Sequence, residues 1–484
     1  MKIGKIKKYD RLVAMKVYVM GICGTAMAHV ALLLRQMGHK VCGSDAKFFD
    51  PIAGLLKRRG VTTFQGYDIE RLCEIAPDAV IVGNVISRGN PEMEFLLNTR
   101  KFPFYSFPDF LERHLFHQRD MWVVSGTHGK TTTTALTAYL LKTKTNPGYL
   151  IGGLPSDFDC GCYLGDSDAP FVIEGDEYDT AFFDKRSKFL HYVPRTLIIN
   201  NLEFDHADIF RDLQDVQRAF CHLTRLVPQN GRILINGDDP GAMALVPCDW
   251  TQVVTVGFGE LNDWRIVHFN ESDSGIQFDL FKGDSCIFPE VSVPLLGDFN
   301  ARNVAMACVA CHENGINIDT SVLRNFHGVA RRQKILQQND NFILMEDFGH
   351  HPTAIHATLQ TLRHCYPAYK IIACFEPACN TSASENFQRS AVFAFEPAGE
   401  VWLLPAKSKL YSDKFVPLLS VLDPNEIARQ LAQKAHSVCI LPSYDNLREK
   451  LNAMQSVHSK MLVCCFSNGP LSEFLNREIG RVRE

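Results

Sequence analysis

Short apolar segments alternate with glycine-containing turns and helical runs along the first part of the chain. The strands predicted here are 16–20, 39–42 and 79–82, and the helix after the first strand is predicted over 26–37. Each strand ends at glycine or polar residues, as in the turn 21–24. This order of strand, turn and helix is typical of a parallel sheet, which binds ligands at the carboxyl ends of its strands.

The same alternation starts again after a polar stretch at 112–120 and once more after Arg331 and Arg332. The strands predicted in these parts are 121–124, 171–174, 196–199, 341–345, 370–374, 401–404 and 462–466, and the helices are 131–141 and the end of 295–314. Residues 253–294 alternate as antiparallel strands do, which predicts a small appended sheet. The length of 484 residues is too great for one hydrophobic core. We therefore predict an α/β protein of three domains in series, over 1–118, 119–330 and 331–484.

The charge of the chain argues against nucleic acid as its partner. It has 50 basic and 54 acidic residues, a net charge of -4 and an isoelectric point near 6.5. An anionic ligand must therefore be held by local features such as loops, helix N-termini and single cations. The sequence contains no apolar run of 18 residues, and its first ten residues are basic and polar. We therefore predict no signal peptide and no membrane insertion.

Sixteen cysteines are scattered along the chain, and several of them lie in apolar runs. This distribution favours reduced thiols in a cytoplasmic protein over the disulfide framework of a small secreted one. The nearest approach to a metal-binding pattern is Cys160-Gly161-Cys162, which has no second pair at zinc-like spacing. We therefore predict a cytoplasmic location and no zinc site.

The segment 125–134 reads SGTHGKTTTT and lies between a predicted strand and a predicted helix. Its glycines allow backbone N–H groups to turn toward an anion, and the helix N-terminus adds the positive end of its dipole. Lys130 would reach the β- and γ-phosphates of a nucleotide, and the Thr131 hydroxyl would bind Mg²⁺. The loop is shorter than the usual phosphate loop because Val124 stands where the first glycine would fall. The residues predicted to bind the nucleotide here are Gly126, Thr127, His128, Gly129, Lys130, Thr131 and Thr132.

Acidic residues and a histidine follow two of the predicted strands. Glu174 ends one strand, and His206 lies at the end of the stretch 200–206 that follows another. Mg²⁺ bound to a triphosphate needs further protein ligands, and the carboxyl ends of parallel strands are where such sites form. Both residues are therefore candidate metal ligands, although a solvated loop charge is the alternative for either one.

At these residues the chain resembles the Mur ligase family, the ATP-dependent amide ligases of bacterial cell-wall synthesis. The resemblance covers nearly the whole chain. Besides the phosphate loop, it is carried by 21–25 (GICGT), 83–91 (GNVISRGNP), 182–189 (FFDKRSKF), 201–210 (NLEFDHADIF) and 347–352 (DFGHHP). It implies a bacterial enzyme of peptidoglycan recycling that joins UDP-N-acetylmuramate to the peptide amine L-alanyl-γ-D-glutamyl-meso-diaminopimelate through an acyl phosphate, with ATP and Mg²⁺.

The resemblance also implies a role for each domain. The first would be a Rossmann-like UDP-binding domain, the second a P-loop ATPase domain with a parallel sheet plus a small antiparallel sheet, and the third a Rossmann-like domain for the amine. The residues implied near UDP are Gly21, Ile22, Cys23, Gly24, Thr25, Asp45 and Asn84.

The resemblance assigns further residues to the reaction. Glu174 and His206 would bind Mg²⁺ beside Thr131. The residues implied near the nucleotide are Asn300, Asn303, Arg332 and Asp347. His350 and His351 would lie beside the reacting groups, and one of them would be the general base. The two asparagines could instead cap a helix, and the two histidines could form a turn before Pro352.

Two departures from the family pattern lie in the predicted amine-binding domain. Ala378 and Cys379 follow Pro377 where the family usually has an arginine, and Pro470 replaces a second glycine. The identity of the amine is therefore open, and so is the oligomeric state, monomer or dimer. The alternatives are a UDP-N-acetylmuramate–L-alanine ligase, a folylpolyglutamate synthetase, and a regulator that binds UDP-muramoyl ligands and ATP without catalysis. A dinucleotide oxidoreductase is less favoured because the turn 21–24 lacks the G-x-G-x-x-G spacing.

Overall fold

The computed structural model describes residues 14–48, 50–207, 209–406, 421–455 and 459–483. These residues form two compact units. The first unit contains the described chain up to Leu202 together with Gln217–Arg265 and Asn303–Val322. The second contains Glu203–Val216, Ile266–Arg302 and the described chain from Leu323 onward.

Five parallel strands form the first sheet, which lies in the first unit. Its elements are β1 (Lys16–Met20), α1 (Thr25–Gln36), β2 (Lys40–Asp45), α2 (Ile52–Arg58), β3 (Thr62–Gln65), α3 (Ile69–Ile75), β4 (Ala79–Val82), α4 (Pro91–Thr99), β5 (Phe104–Ser106) and α5 (Phe107–His114). The strand order is β3-β2-β1-β4-β5. The register places Met20 beside Ser44 on one side and Val82 on the other. The carboxyl ends of the three central strands therefore meet beside the turn that follows β1.

A buried carboxylate ties β1, β2 and α4 together. Glu92 has no exposed surface, and it accepts hydrogen bonds from Tyr18 Oη at 2.8 Å, Ser44 Oγ at 2.9 Å and Asp68 N at 2.9 Å. A buried charge costs several kcal/mol unless hydrogen bonds compensate for the lost water. These three donors offset that cost, and the network fixes the end of β2 that precedes Asp45.

The chain continues with the elements β6 (Asp120–Ser125), α6 (Lys130–Leu141), β7 (Gly148–Leu150), β8 (Cys162–Tyr163), β9 (Pro170–Gly175), β10 (Asp179–Ala181), β11 (Asp184–Ser187), β12 (Thr196–Ile199), α7 (Leu213–Thr224), β13 (Arg232–Asn236), α8 (Pro240–Met243), β14 (Gln252–Gly257), β15 (Trp264–Ser272), β16 (Gly275–Lys282), β17 (Ser285–Val293) and α9 (Asp298–Glu313). The strands of the first unit have the order β14-β13-β12-β6-β9-β7-β8. They are parallel except for β8, which runs antiparallel to β7.

In the second unit, β16 lies between β15 and β17 and pairs antiparallel with β17. The small antiparallel sheet is therefore confirmed. The prediction of antiparallel strands throughout 253–294 was wrong for β14, which pairs in parallel with both β13 and β15. Alternating apolar residues show that one face of a strand is buried, but they carry no information about the direction of its neighbour.

The second unit also contains a six-stranded sheet. Its elements are β18 (Lys334–Gln338), β19 (Phe342–Asp347), α10 (Pro352–Cys365), β20 (Lys370–Phe375), α11 (Glu385–Phe395), β21 (Glu400–Leu403), α12 (Pro424–Gln433), β22 (Ser437–Ile440), α13 (Tyr444–Gln455), β23 (Met461–Phe466) and α14 (Leu471–Arg483). The order is β18-β19-β23-β20-β21-β22, and only β18 is antiparallel to its neighbour. The sheets with mainly parallel strands in successive parts of the chain confirm the predicted α/β class. Among the described residues, no helix combines the length and the apolar character needed to cross a bilayer.

Candidate active site

The phosphate-loop segment joins β6 to α6 and has the conformation of an anion-binding turn. β6 lies between β9 and β12, so the loop leaves the sheet between two strands whose carboxyl ends carry polar residues. Gly126 has a φ of 132° and Gly129 a φ of 79°, which L side chains rarely adopt. A Cβ atom on Gly129 would lie 2.5 Å from Asn303 Oδ1. The helix then begins at Lys130, and its N-terminus favours an anion in front of the loop.

Two asparagines after β12 hold the loop in this conformation. Asn201 Oδ1 accepts a hydrogen bond from His128 N at 2.8 Å, and the Asn201 carbonyl accepts one from Thr127 N at 3.2 Å. Asn200 Nδ2 donates to Thr133 Oγ1 at 3.0 Å and to the His128 carbonyl at 3.3 Å. No local sequence pattern predicts these contacts, because Asn201 and His128 are 73 positions apart in the chain.

Asn303 supports the same loop from α9. Its Oδ1 accepts from Thr133 Oγ1 at 3.1 Å and from Asn200 Nδ2 at 3.3 Å. Asn300 belongs to the second unit, where its Nδ2 donates to the Leu296 carbonyl at 2.7 Å. Both side chains thus have contacts with the protein, and their place near an adenine stays a prediction.

Lys130 is mostly buried and is held by a carboxylate and by the loop backbone. Its Nζ donates to Glu177 Oε2 at 2.9 Å and to the Gly126 carbonyl at 2.6 Å. Burial acts to lower the pKa of Lys130, but the carboxylates of Glu177, Asp176 and Glu174 outweigh it, and the pKa is raised. Lys130 is therefore a permanent cation at the loop, where it can neutralise phosphate charge.

Glu174 and Thr131 come together at the carboxyl edge of the sheet. Thr131 Oγ1 donates to Glu174 Oε2 at 3.1 Å, and Gly152 N donates to Glu174 Oε1 at 2.6 Å. Burial, followed by the nearby Asp176 carboxylate, raises the pKa of Glu174 to about 7. Hard divalent cations prefer hydroxyl and carboxylate oxygens, and a bound cation would favour the ionised carboxylate. This pair of donors therefore fits a divalent metal ion.

The acidic loop after β9 is supported by the buried side chain of Lys188. Lys188 Nζ lies 3.6 Å from Asp176 Oδ2 and 3.8 Å from the centre of the Tyr178 ring. Its backbone N–H donates to the Tyr178 carbonyl at 3.1 Å. Burial lowers the pKa of Lys188. Lys188, in the segment 182–189, therefore fixes the loop that carries Glu177. This supporting role of Lys188 was not predicted from the sequence.

The turn after β1 brings together several residues predicted to bind UDP. Gly21 N and Ile22 N both donate to the Ser44 carbonyl, at 2.8 and 3.1 Å. Cys23 N donates to Asp45 Oδ2 at 2.8 Å. These hydrogen bonds join the turn to the end of β2 and place the Asp45 carboxylate beside the backbone of the turn.

The other residues predicted near UDP border the same edge of the first sheet. Gly24 is the N-cap of α1, and Thr25 is the first residue of that helix. Gly83 N donates to the Met20 carbonyl at 2.9 Å, which holds the turn after β4 next to the turn after β1. Asn84 follows in that turn and is exposed. The structure therefore brings the predicted group to one sheet edge, and its ligand stays a prediction.

In the second unit, His206 and its neighbour Asp205 form a polar cluster. His206 has a φ of 54°, and its Nε2 lies 4.0 Å from Asp205 Oδ2. Asp205 is buried, and its Oδ1 accepts a hydrogen bond from Thr381 Oγ1 at 2.9 Å. The cluster therefore connects His206 to the loop 376–381.

The two histidines before α10 have different surroundings. His351 is the N-cap of α10, and its Nε2 lies 3.2 Å from the Phe204 carbonyl. Its Nδ1 lies 3.5 Å from Glu203 Oε2. His350 Nδ1 lies 3.2 Å from the Phe348 carbonyl, and burial lowers the pKa of His350 to about 4. His350 is therefore neutral at neutral pH and a weak base.

Arg332 and Asp347 are neighbours in the second unit. Burial raises the pKa of Asp347, although the charge of Arg332 opposes the shift. Asp347 Oδ2 accepts from Gln333 N at 2.9 Å, and Asp347 Oδ1 accepts from Gly349 N at 2.6 Å. The Arg332 guanidinium lies 4.8 Å from the centre of the Phe348 ring. These two predicted nucleotide contacts are thus brought together.

The loop 376–381 is anchored by its glutamate. Glu376 accepts hydrogen bonds from Tyr444 Oη, from Ser467 Oγ and, at 3.2 Å, from Leu471 N. A Cβ atom on Gly469 would lie 2.3 Å from Ala378 Cβ, so the two unusual segments of this unit pack against each other.

The predicted metal ligands divide between the units. Thr131 and Glu174 are together in the first, and His206 belongs to the second. The three-residue metal site therefore stays a prediction. The loop, its lysine and the hydroxyl–carboxylate pair are features of a P-loop nucleotide-dependent enzyme.

Comparison with known proteins narrows this class. Residues 16–119 match the model for the Mur ligase family, catalytic domain, and residues 124–311 match the model for the Mur ligase middle domain. The UDP-N-acetylmuramate–L-alanyl-gamma-D-glutamyl-meso-2,6-diaminoheptandioate ligase of Escherichia coli (strain K12) is 42% identical over 397 residues, which cover 81% of this chain and 85% of the relative. The Haemophilus influenzae ligase of the same name is 36% identical over 441 residues, which cover 89% of this chain and 90% of the relative.

A solved structure gives the same result. The murein peptide ligase from Psychrobacter arcticus 273-4 matches with a TM-score of 0.71 and 31% identity, covering 97% of this chain and 98% of that one. The chain belongs to the Mur ligase family. It is accordingly an ATP-dependent ligase that forms carbon–nitrogen bonds with the help of a divalent metal ion.

Proposed function

We propose that this enzyme joins UDP-N-acetylmuramate to the tripeptide L-alanyl-γ-D-glutamyl-meso-diaminopimelate, using ATP and Mg²⁺, in bacterial peptidoglycan recycling. The names and the extent of its relatives support these substrates. The observation that carries the chemistry is the buried Lys130 cation at the phosphate loop, next to the Thr131–Glu174 pair. The absence of bilayer-length helices among the described residues is compatible with this reaction, and its sixteen free cysteines support a cytoplasmic location.

The first step activates a carboxylate. Its oxygen is a poor leaving group at neutral pH, so transfer of the γ-phosphoryl group converts the muramate carboxyl group into an acyl phosphate. Positioning and charge neutralisation dominate such transfers. Lys130 would neutralise charge on the transferring oxygens, and the N–H groups of the phosphate loop would orient the triphosphate. Thr131, Glu174 and His206 would hold Mg²⁺, which supplies further charge neutralisation when it is bound.

The second step is attack of the peptide amine on the acyl phosphate, with phosphate as the leaving group. The amine must lose a proton to a base within hydrogen-bond reach. We favour His351 over His350 in this role, because the low pKa of buried His350 makes it a poor proton acceptor. Arg332 and Asp347, which are neighbours in the second unit, would contact the nucleotide together with Asn300 and Asn303.

We assign the binding of UDP, of ATP and of the peptide amine to three successive parts of the chain. Residues 1–118 would hold UDP through Gly21–Thr25, Asp45 and Asn84, residues 119–330 would hold ATP, and residues 331–484 would hold the amine. The first assignment is supported by the carboxylate of Asp45 at the sheet edge, which can accept hydrogen bonds from ligand hydroxyl groups.

A phosphate-release assay tests this proposal. Purified enzyme with ATP, Mg²⁺ and UDP-N-acetylmuramate is given L-alanine, the dipeptide L-alanyl-D-glutamate or the tripeptide in separate reactions. We expect phosphate release that requires UDP-N-acetylmuramate and is fastest with the tripeptide. Fastest release with L-alanine would instead identify the alanine-adding activity. Binding of UDP-N-acetylmuramate and ATP without phosphate release would identify a regulator. In that case the contact between the unusual segments at Ala378 and Gly469 would be the first place to look for the lost activity.

A further inference from the structure

Two cysteines separated by one glycine lie at the edge of the sheet in the first unit. Cys162 begins β8, and Leu150 of β7 is its partner in the ladder. The Gly161 carbonyl accepts a hydrogen bond from Ile151 N at 2.7 Å, and Gly161 N donates to His29 Nε2 at 3.3 Å. The Cys160-Gly161-Cys162 tripeptide is thus fixed on both sides by backbone and imidazole contacts.

The two sulfur atoms are already close. Cys160 Sγ and Cys162 Sγ are 3.7 Å apart, and Cys160 Sγ also lies 3.0 Å from the Cys162 carbonyl oxygen. The bond length of a disulfide is about 2.05 Å. Side chains at positions i and i+2 of an extended segment point to the same face, so the backbone places both sulfur atoms on one side of the chain. The sulfur atoms therefore need only a small further approach to bond.

The two thiols also differ chemically. The hydrogen bond to Cys162 lowers the pKa of Cys160. Burial raises this pKa, and the positive charge of Arg59 lowers it. The hydrogen bond to Cys160 and burial together raise the pKa of Cys162. Both residues are buried, with Cys160 8% exposed and Cys162 1% exposed. The lowered pKa favours Cys160 as the attacking thiolate and leaves Cys162 as the resolving thiol.

We propose that Cys160 and Cys162 form a reversible thiol–disulfide pair that is oxidised by a hydroperoxide. The Cys160 thiolate attacks the terminal peroxide oxygen, so that an S–O bond forms, the O–O bond breaks and hydroxide (from hydrogen peroxide) or an alkoxide leaves. The Cys162 sulfur then attacks the Cys160 sulfenic acid, an S–S bond forms, the S–O bond breaks, and the departing hydroxide takes the Cys162 proton to give water. Two electrons pass from the sulfur atoms to the peroxide, and a thiol reductant returns them.

The chain provides an internal control for this chemistry. Cys308 and Cys311 in α9 are fully buried, and burial raises the pKa of both thiols. They share burial and close spacing in the chain with the proposed pair, but burial raises the pKa of both thiols, whereas the pKa of Cys160 is lowered. Non-specific oxidation would affect both pairs, whereas the proposed chemistry affects only the first.

Tryptic digestion separates the two pairs. Cleavage after Lys144 and Lys185 gives a peptide 145–185 whose only cysteines are Cys160 and Cys162, and cleavage after Arg302 and Arg324 gives a peptide 303–324 whose only cysteines are Cys308 and Cys311. The folded protein is treated with graded hydrogen peroxide, free thiols are alkylated in denaturant, and the digest is analysed by mass spectrometry. We expect peptide 145–185 to lose two hydrogen masses and to gain no alkyl group at doses that leave 303–324 fully alkylated. Dithiothreitol should restore both alkylation sites.

Two variants test the order of the steps. In Cys162→Ser, a sulfenic acid should accumulate on Cys160 and be trapped by dimedone. In Cys160→Ser, the thiol of Cys162 should stay reduced at the same doses. The proposal is overturned if peptide 145–185 remains fully alkylated while 303–324 is oxidised, or if Cys160 proceeds to the sulfinic acid with Cys162 still present. Equal reactivity of the two single variants would also overturn it.

Discussion

The turn after β1 and the turn after β6 follow the same backbone plan, because each leads from a parallel strand into a helix of 12 residues whose N-cap is a glycine. Their surroundings differ. The first turn meets a carboxylate, with Cys23 N bonded to Asp45. The second begins its helix with a lysine and is enclosed by asparagines from the next strand of the sheet. Backbone N–H groups of both turns donate to residues from the neighbouring strand, and the side chains of those residues decide which ligand is favoured.

The strongest test of this difference is Lys130→Ala. We expect turnover to fall about a thousandfold or more, roughly 4 kcal/mol of transition-state stabilisation, because the phosphoryl oxygens lose their cation. Binding of UDP-N-acetylmuramate, measured by calorimetry, should be nearly unchanged. Lys144→Ala, at an exposed position just beyond the same helix, is the control. Equal loss of turnover and of UDP-sugar binding would show that the substitution unfolds the protein. It would then give no support for assigning ATP to the second turn and UDP to the first.

Lys188→Met tests whether the buried lysine that supports the acidic loop after β9 affects the second turn. Removal of the buried cation leaves Asp176 without its 3.6 Å partner, which should cost roughly 2 to 3 kcal/mol of unfolding free energy. Because the same loop directly follows Glu174, a predicted Mg²⁺ ligand, the Mg²⁺ concentration for half-maximal rate should also rise. Lys185→Met is the control, since the Lys185 side chain is 55% exposed. A variant with lower stability but an unchanged Mg²⁺ requirement would limit Lys188 to folding.

His29, in helix α1 after the first turn, should make the free energy of unfolding depend on pH. Burial lowers the pKa of His29 from 6.5 to about 4, and its Nε2 accepts a hydrogen bond from Gly161 N. Between these two pH values the unfolded chain binds a proton that the folded chain excludes, so the stabilisation is complete above pH 6.5 and is lost as the pH falls toward 4. The loss at pH 5 should be about 2 kcal/mol.

His29→Gln separates this effect from general acid unfolding. The glutamine amide can donate to the Ile151 carbonyl and accept from Gly161 N as the neutral imidazole does, but it does not titrate. The difference in unfolding free energy between pH 8 and pH 5, measured by urea denaturation, should be smaller in the variant. Identical pH profiles for the two proteins would show that His29 is not responsible.

The smallest expected effect is that of Asp45→Asn in the first turn. The loss of the carboxylate weakens its bond to Cys23 N and its capacity to accept from ligand hydroxyl groups, at about 1.4 kcal/mol. The KM for UDP-N-acetylmuramate should rise about tenfold, with little change in the KM for ATP. Asp78→Asn is the control, because Asp78 is exposed and contacts Lys16 N at the opposite edge of the sheet. A larger effect on ATP than on the UDP-sugar would reverse the assignment of the two turns.

The secondary structure could be predicted where the sequence pattern is local. β1, β4 and β12 have the predicted bounds or fall within a residue of them, because buried parallel strands are continuous apolar runs bounded by turns. β3, β5, β18 and β22 were not predicted, and each lies at the edge of its sheet; the central buried strand β13 was also missed. Edge strands are partly exposed and carry polar residues, so their pattern resembles that of a loop.

The candidate site could be predicted in part. The phosphate loop was found because glycine, lysine and threonine must occur at fixed spacing within one turn. The roles of Asn200, Asn201 and Lys188 were missed, because their partners come from distant parts of the chain and no local pattern marks such contacts. The same is true of the Cys160–Cys162 contact, since the sequence predicts the spacing but not the approach of the two sulfur atoms.

The sequence by itself determined the α/β class, the position of the phosphate loop and the membership of the family, because these depend on short-range periodicity and on residues that act within one turn. Tertiary structure alone decided which carboxylates surround Lys130, why the pKa values of Glu174 and His29 depart from their usual ranges, and which strands are neighbours. Burial and electrostatic interactions depend on distances through space, and only the folded chain fixes those distances.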